Sequence, residues 1–159
     1  MRELPGTLKI ITLWLLLGTV VFIGFKWWER EQQRSRFVLN EGVIEIARAP
    51  DGHYHWAGRI NGAPVEFLID TGASGTAIPL SLARELGLTL YGQVHTNTAG
   101  GTATGQLARV DVRLDGGVHA ERLQILVLPG LSDKPLLGMD VLSRLNWSQS
   151  NQLLRFSPK

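Results

Sequence analysis

The residues best suited to chemistry are Phe67-Leu68-Ile69-Asp70-Thr71-Gly72-Ala73-Ser74. Three apolar residues bring a strand out of a core, and the strand ends at a carboxylate. The following Thr, Gly, small residue and Ser suit a tight, hydrogen-bonded turn. An Asp held this way sits at the floor of a cleft with its backbone fixed. One carboxylate can take up or release a proton. Two of them roughly 3 Å apart can do both, because like charges that close cannot both ionise and their titrations split. The apparent pKa values then belong to the pair. The chain contains one such loop. Asp133 and Asp140 lie near the C-terminal end, but neither is followed by Thr-Gly. A second carboxylate would therefore have to come from another molecule.

Other chemistries find less support. His53 and His55 share one face of a strand, but no third ligand lies at suggestive spacing, so they read as surface histidines beside a turn. His95 and His119 have no nucleophile partner, and there is no lipase-type elbow. The run from His95 to Gly105 (His-Thr-Asn-Thr-Ala-Gly-Gly-Thr-Ala-Thr-Gly) lacks the Gly-Lys-Ser/Thr of a phosphate cradle. Asp140, after Gly138-Met139, reads as a carboxylate favouring the N-terminal dipole of a short helix. No cysteine is present, which removes disulfides and thiolate metal sites without fixing the compartment. No metal or other cofactor is expected.

The elements that must position Asp70 are short. With 159 residues, one domain and one core are possible. Val43-Ile44-Glu45-Ile46 and Tyr54 to Ile60 flank Asp51-Gly52, a hairpin signal. Asn61-Gly62 turns the chain into Val65 to Ile69 and the Asp70 loop. Ser81 to Leu88 predicts a helix with Ser81 at its N-cap. Val94–Thr98 and Thr102–Arg109 enclose Ala99-Gly100-Gly101. Val110–Leu114 then turns at Asp115-Gly116-Gly117, and Leu123–Leu128 is an apolar strand. A second helix is predicted over Met139–Leu145, and Leu153–Phe156 closes the chain as a strand. Turn signals every eight to twelve residues indicate an all-β barrel or sandwich.

The N-terminal region is different. Ile10 to Phe25 carries no charge, and the apolar run extends through Trp28 with Lys9 and Lys26 snorkelling. Trp27 and Trp28 beside Lys26 suit an interfacial aromatic belt. No small-x-small cleavage site follows, which favours an uncleaved anchor over a signal peptide. Glu29 to Arg36 is a polar stalk. The basic excess (net charge +2) belongs to this region, where Arg2, Lys9, Lys26, Arg30, Arg34 and Arg36 face Glu3, Glu29 and Glu31. The rest is close to neutral, so nucleic-acid binding is not expected. Counted naively, the flanking charges place the C-terminal part in the cytoplasm.

The Asp70-Thr71-Gly72 loop, the strand before it and Leu136-Leu137-Gly138 together resemble the retropepsin-like aspartic proteases, of the bacterial membrane-anchored kind. The resemblance covers about residues 40–157, leaving the anchor outside. It implies an all-β, retropepsin-like closed β-barrel with one or two short helices, preceded by one N-terminal transmembrane helix. The corresponding division is 1–28 as cytoplasmic tail and anchor, 29–39 as polar stalk and 40–159 as protease domain. Asp70 would be catalytic, with Thr71, Gly72, Ala73 and Ser74 supporting the loop. Thr71 would reach the partner's loop, Gly72 would permit close approach, and Ala73 and Ser74 would leave room for substrate. Ala99, Gly100 and Gly101 would form a flap, although the usual flap aromatic is missing. Leu136, Leu137 and Gly138 would form the strand behind the loop. The implied function is a membrane-anchored endopeptidase acting on peptide or protein substrates as a homodimer, in the bacterial inner membrane and facing the periplasm. The rival reading is a catalytically silent barrel serving as a membrane-tethered binding or assembly module.

Overall fold

The computed structural model describes residues 6–33, 36–39, 42–98, 101–131 and 133–157. Contacts divide the chain into two compact units, Met1–Arg34 and Ser35–Lys159. The first is built on helix α1 (Gly6–Gln33). Its stretch Ile10–Glu29 has a mean hydropathy of 1.9, has none of its residues buried, and is long and apolar enough to cross a membrane.

The second unit is a β-barrel. In chain order it holds β1 (Arg36–Leu39), β2 (Ile44–Ala47), β3 (His55–Ile60), β4 (Ala63–Ile69), β5 (Ala77–Pro79), α2 (Leu80–Glu85), β6 (Tyr91–Thr98) and β7 (Gly101–Leu114). There follow β8 (Val118–Leu128), β9 (Leu136–Leu137), α3 (Met139–Leu142), β10 (Asn146–Ser150) and β11 (Leu153–Ser157). The large sheet runs β1-β8-β5-β9-β4-β3-β7-β6, and an additional β8–β7 pairing joins it back on itself. Strands β8, β5, β9, β4, β3 and β7 therefore form a closed six-strand ring. Two of its pairings, β4–β9 and β5–β8, are parallel. Closure leaves little free edge on the ring, which protects it from pairing with other chains.

The barrel follows from side-chain alternation. In β7, Ala108, Val110, Val112 and Leu114 are buried, while Arg109, Asp111 and Arg113 between them face solvent. β8 answers with Val118, Ala120, Leu123, Ile125 and Val127. A bulge lies between these last sets, where Val110 pairs Leu123 but Val112 pairs Ala120. Arg122 takes φ 54° there, and its N–H donates to Asp111 Oδ1 (2.7 Å). Outside the ring, β10-β11-β2 form a small sheet. Trp56 of β3 and Phe156 of β11 join it to the core, their ring centroids 4.6 Å apart.

Several local expectations change. Asp51-Gly52 does turn the chain, with Gly52 N–H donating to Ala49 O (2.9 Å), but it joins no hairpin. β2 pairs with β11, and β3 pairs with β4 and β7. Burial decides this: Ile44 and Ile46 stand opposite the buried Phe156 and Leu154. Helix α2 starts at Leu80 with extended Pro79 as its cap and no side-chain cap bond, so Ser81 is not the N-cap. Helix α3 stops at Leu142. Beyond it the chain continues in tighter turns, Arg144 N–H to Val141 O (3.0 Å) and Leu145 N–H to Leu142 O (3.1 Å). Val94–Thr98 lengthens to β6, and Thr102–Arg109 and Val110–Leu114 merge into β7. Strands β1, β5 and β10 had no counterpart in the sequence reading.

Candidate active site

Asp70 follows β4 directly. The strand is held on one side by Ile69 N–H to Tyr54 O (2.9 Å), and on the other by Leu68 N–H to Pro135 O (2.8 Å) and Asp70 N–H to Leu137 O (3.1 Å). The chain then turns back: Ala73 N–H donates to Asp70 O (3.3 Å), and Gly72 N–H donates to the carboxylate at Oδ1 (2.8 Å). The carboxylate is thus oriented by its own loop and stays half-buried. It lies on the floor of a cleft of about 550 Å³. Gly72 to Gly75 continue the floor, Leu126, Leu128, Leu131 and Leu136 supply apolar wall, and Thr96, Asn97 and Thr98 of the β6–β7 hairpin line the remaining side. A mostly apolar cleft with one convergent carboxylate suits a ligand that is itself largely apolar.

The other singled-out residues take clear places. Thr71 is exposed and is not among the cleft-lining residues; Ala73 and Ser74 line the cleft. At Gly72 the backbone is ordinary, and the tight approach is to Asp70 itself: a Cβ would lie 3.1 Å from Oδ1. Gly101 opens β7 opposite Thr98, whose hydroxyl donates to Gly101 O (2.8 Å). Ala99 and Gly100 lie outside the described residues. Leu136 lines the cleft, Leu137 is fully buried, and both pair in parallel with β4. Gly138 packs directly on Gly75. His53 is exposed, and among the described residues no group of three or more His, Cys, Asp or Glu could hold a metal ion.

One contact went unforeseen. Thr76, 1% exposed, donates its hydroxyl to Asp140 Oδ1 (2.8 Å) and accepts Gly138 N–H (3.3 Å). Asp140 does accept Val141 N–H (3.0 Å) at the start of α3, as its position suggested, but its larger contact is across the loop. The partners are 64 positions apart, so no spacing rule could find them.

A family model described as "gag-polyprotein putative aspartyl protease" matches residues 56–144. That span holds the Asp70 loop, the β6–β7 hairpin and the Leu-Leu-Gly strand. The chain belongs to this family. This aspartyl protease family member shares its fold with a crystal structure of a retropepsin-like aspartic protease from Rickettsia conorii. That match has a TM-score of 0.63 and 30% identity, and covers 73% of this chain and 99% of the other. The EIAV protease, solved with the inhibitor HBY-793, matches with a TM-score of 0.52 and 22% identity over 59% of this chain and 88% of its own, a likeness of fold. An uncharacterized protein, RP867, of Rickettsia prowazekii (strain Madrid E) is 34% identical over 106 residues, which is 65% of this chain. The chain spans less than half (46%) of that relative's length.

Side-chain bonds tie β3 and β4 to the segments beside them. His55 Nε2 meets Asp51 Oδ2 at 2.7 Å, and Lys134 Nζ donates to Glu66 Oε2 at 2.8 Å, next to Pro135 and Leu136. The His53 N–H and the His55 ring hold Asp51 below its usual pKa, and the Lys134 bond does the same for Glu66. For groups with depressed pKa values, the stabilisation is present above the ordinary carboxylate range and is lost as pH falls through the lower folded values. Both groups are solvent-exposed, so Glu66 contributes under about 1 kcal/mol. Denaturant midpoints should therefore fall below pH ~4. In Glu66→Gln that acid-side fall should be smaller, and an identical fall would remove this tie.

Proposed function

We propose that the chain is a membrane-anchored aspartic endopeptidase that cuts peptide bonds as a homodimer, with Asp70 of each copy sharing one water. The observation that carries this reading is a single oriented, accessible carboxylate on the floor of a peptide-sized cleft, in a family of aspartyl proteases. One acid per chain leaves the chemistry half-complete, and a two-fold dimer with Asp70 near its axis completes it.

In the dimer the two carboxylates hold one proton between them. The ionised member takes a proton from water as the water oxygen attacks the scissile carbonyl carbon. The protonated member gives its proton to the carbonyl oxygen, forming a gem-diol. Collapse of that intermediate returns a proton to the leaving nitrogen and breaks the C–N bond. Thr71, exposed on the loop, reaches the partner's loop. Ala73 and Ser74, being small, leave room for substrate. Ala99, Gly100 and Gly101 act as a flap over the peptide and limit water. Helix α1 holds the barrel unit to the bacterial inner membrane on its periplasmic side. Confinement there raises the effective concentration of the partner.

The test is dose dependence. With the full-length chain in detergent micelles and a mixed peptide library, initial cleavage should rise with the square of enzyme concentration at low dose. A pepstatin-like transition-state mimic should suppress it, and a chelator should not. Sensitivity to chelator alone would contradict the scheme. A protein that stays monomeric and cleaves nothing would favour the silent binding module.

A further inference from the structure

The loop that carries Asp70 rests on the turn entering α3 at four points. Asp70 N–H donates to Leu137 O, Met139 N–H donates to Ala73 O (2.8 Å), Gly75 backs onto Gly138, and Thr76 bonds both Gly138 N–H and Asp140. The first two are main-chain bonds that side-chain identity hardly touches, and the third needs a glycine at 138. The fourth is made by two side chains and closes the far end of the loop, so the segment is pinned at Asp70 and again at Thr76. Between the pins lie Gly72, whose N–H orients the carboxylate, and the cleft floor.

The details show why a carboxylate stands at 140. Oδ1 accepts from both Thr76 and Val141 N–H, which a single oxygen can do in its two lone-pair directions. Oδ2 is buried with no hydrogen-bond partner among the described residues. Leaving a buried carboxyl oxygen unpartnered costs stability. A helix of four residues has little need of such a group.

We infer that Asp140 is a positioning residue for Asp70, acting through the Thr76 hydroxyl. This rests on Asp70 being the reacting acid. Slack at Thr76 lets the 70–76 loop shift, and displacements near 1 Å at a reacting group can cost roughly 10²-fold in rate. Much of the substrate-facing wall, Leu126 and Leu128 of β8 and Thr96 to Thr98 of the hairpin, lies outside the loop, so KM should change less than kcat.

The experiment compares full-length wild type with Thr76→Val, Thr76→Ser and Asp140→Ala, measuring kcat and KM and, separately, hydrogen exchange of the 67–80 segment against β7 and β8. Expected are a fall in kcat towards roughly 10²-fold in Thr76→Val and Asp140→Ala with a smaller change in KM, near wild-type values in Thr76→Ser, and faster exchange confined to 70–76. Unchanged kcat in a folded Asp140→Ala protein would overturn the inference. So would exchange that rises uniformly through the barrel, which marks a merely structural bond. If wild type cleaves nothing, the proposed function fails on its own, and the exchange pattern still decides whether Thr76 and Asp140 hold the loop. Should Thr76→Val not fold, Asp140→Ala carries the decision.

Discussion

Asp70→Asn should abolish peptide cleavage while leaving the barrel folded. Asparagine keeps the shape and an acceptor oxygen, so the bond from Gly72 N–H (2.8 Å in the native chain) survives. What disappears is the capacity to exchange a proton at the cleft floor. General acid–base catalysis contributes roughly 10²–10⁴-fold, and here both the acid and the base are lost with one substitution. Measured on a peptide substrate, kcat/KM should fall by at least roughly 10³-fold with the melting temperature close to wild type. Mixing offers a sharper form. Excess Asp70→Asn protein added to wild type should suppress activity, because each hybrid pair retains one acid. Full activity in the variant, or no suppression on mixing, would remove the dyad mechanism.

Gly138→Ala should be among the most damaging single methyl additions in the barrel. A Cβ at Gly138 would lie 2.5 Å from Gly75 O and 2.9 Å from Gly75 Cα. These are main-chain atoms, and no rotamer change can clear them. Relief requires the 73–76 segment to lift away from Leu137 and Met139, breaking the bonds that support Asp70. Overpacking of this kind costs typically about 1–3 kcal/mol, and rigid neighbours put this site at the upper end. Gly75→Ala provides the contrast, since a Cβ there meets nothing within 4 Å. Denaturant unfolding should show a large loss for Gly138→Ala and a small one for Gly75→Ala. Equal losses would mean that the close approach does not govern the loop.

How much of this was visible in the chain depends on locality. Phe67 to Ser74 could be interpreted because an apolar strand, an acid and a turn lie side by side, and Leu136-Leu137-Gly138 because an apolar pair before glycine suits a buried strand end. The Asn61-Gly62 turn was visible for the same reason: it joins neighbours, β3 and β4. Asp51-Gly52 misled because turn chemistry says where a chain bends but not which strands then pair. There the buried faces of β2 and β11 decided. Strand β10 had no signal, for all five of its residues are exposed and Trp147 is its one large apolar residue. The ring closure of β8 on β5 and the Thr76–Asp140 bond join residues far apart, and no periodicity records them.

The supports of the Asp70 loop all come from later in the chain: Leu137, Gly138, Met139 and Asp140. While the polypeptide is being made, Asp70 leaves the ribosome some seconds before those residues exist, at ordinary elongation rates. During that interval only local bonds, such as Gly72 N–H to the Asp70 carboxylate and Ala73 N–H to Asp70 O, hold the loop. The loop therefore gains its full set of supports only when β9 comes in alongside β4. A half-synthesised chain carries Asp70 without the β9 and α3 contacts that hold its loop.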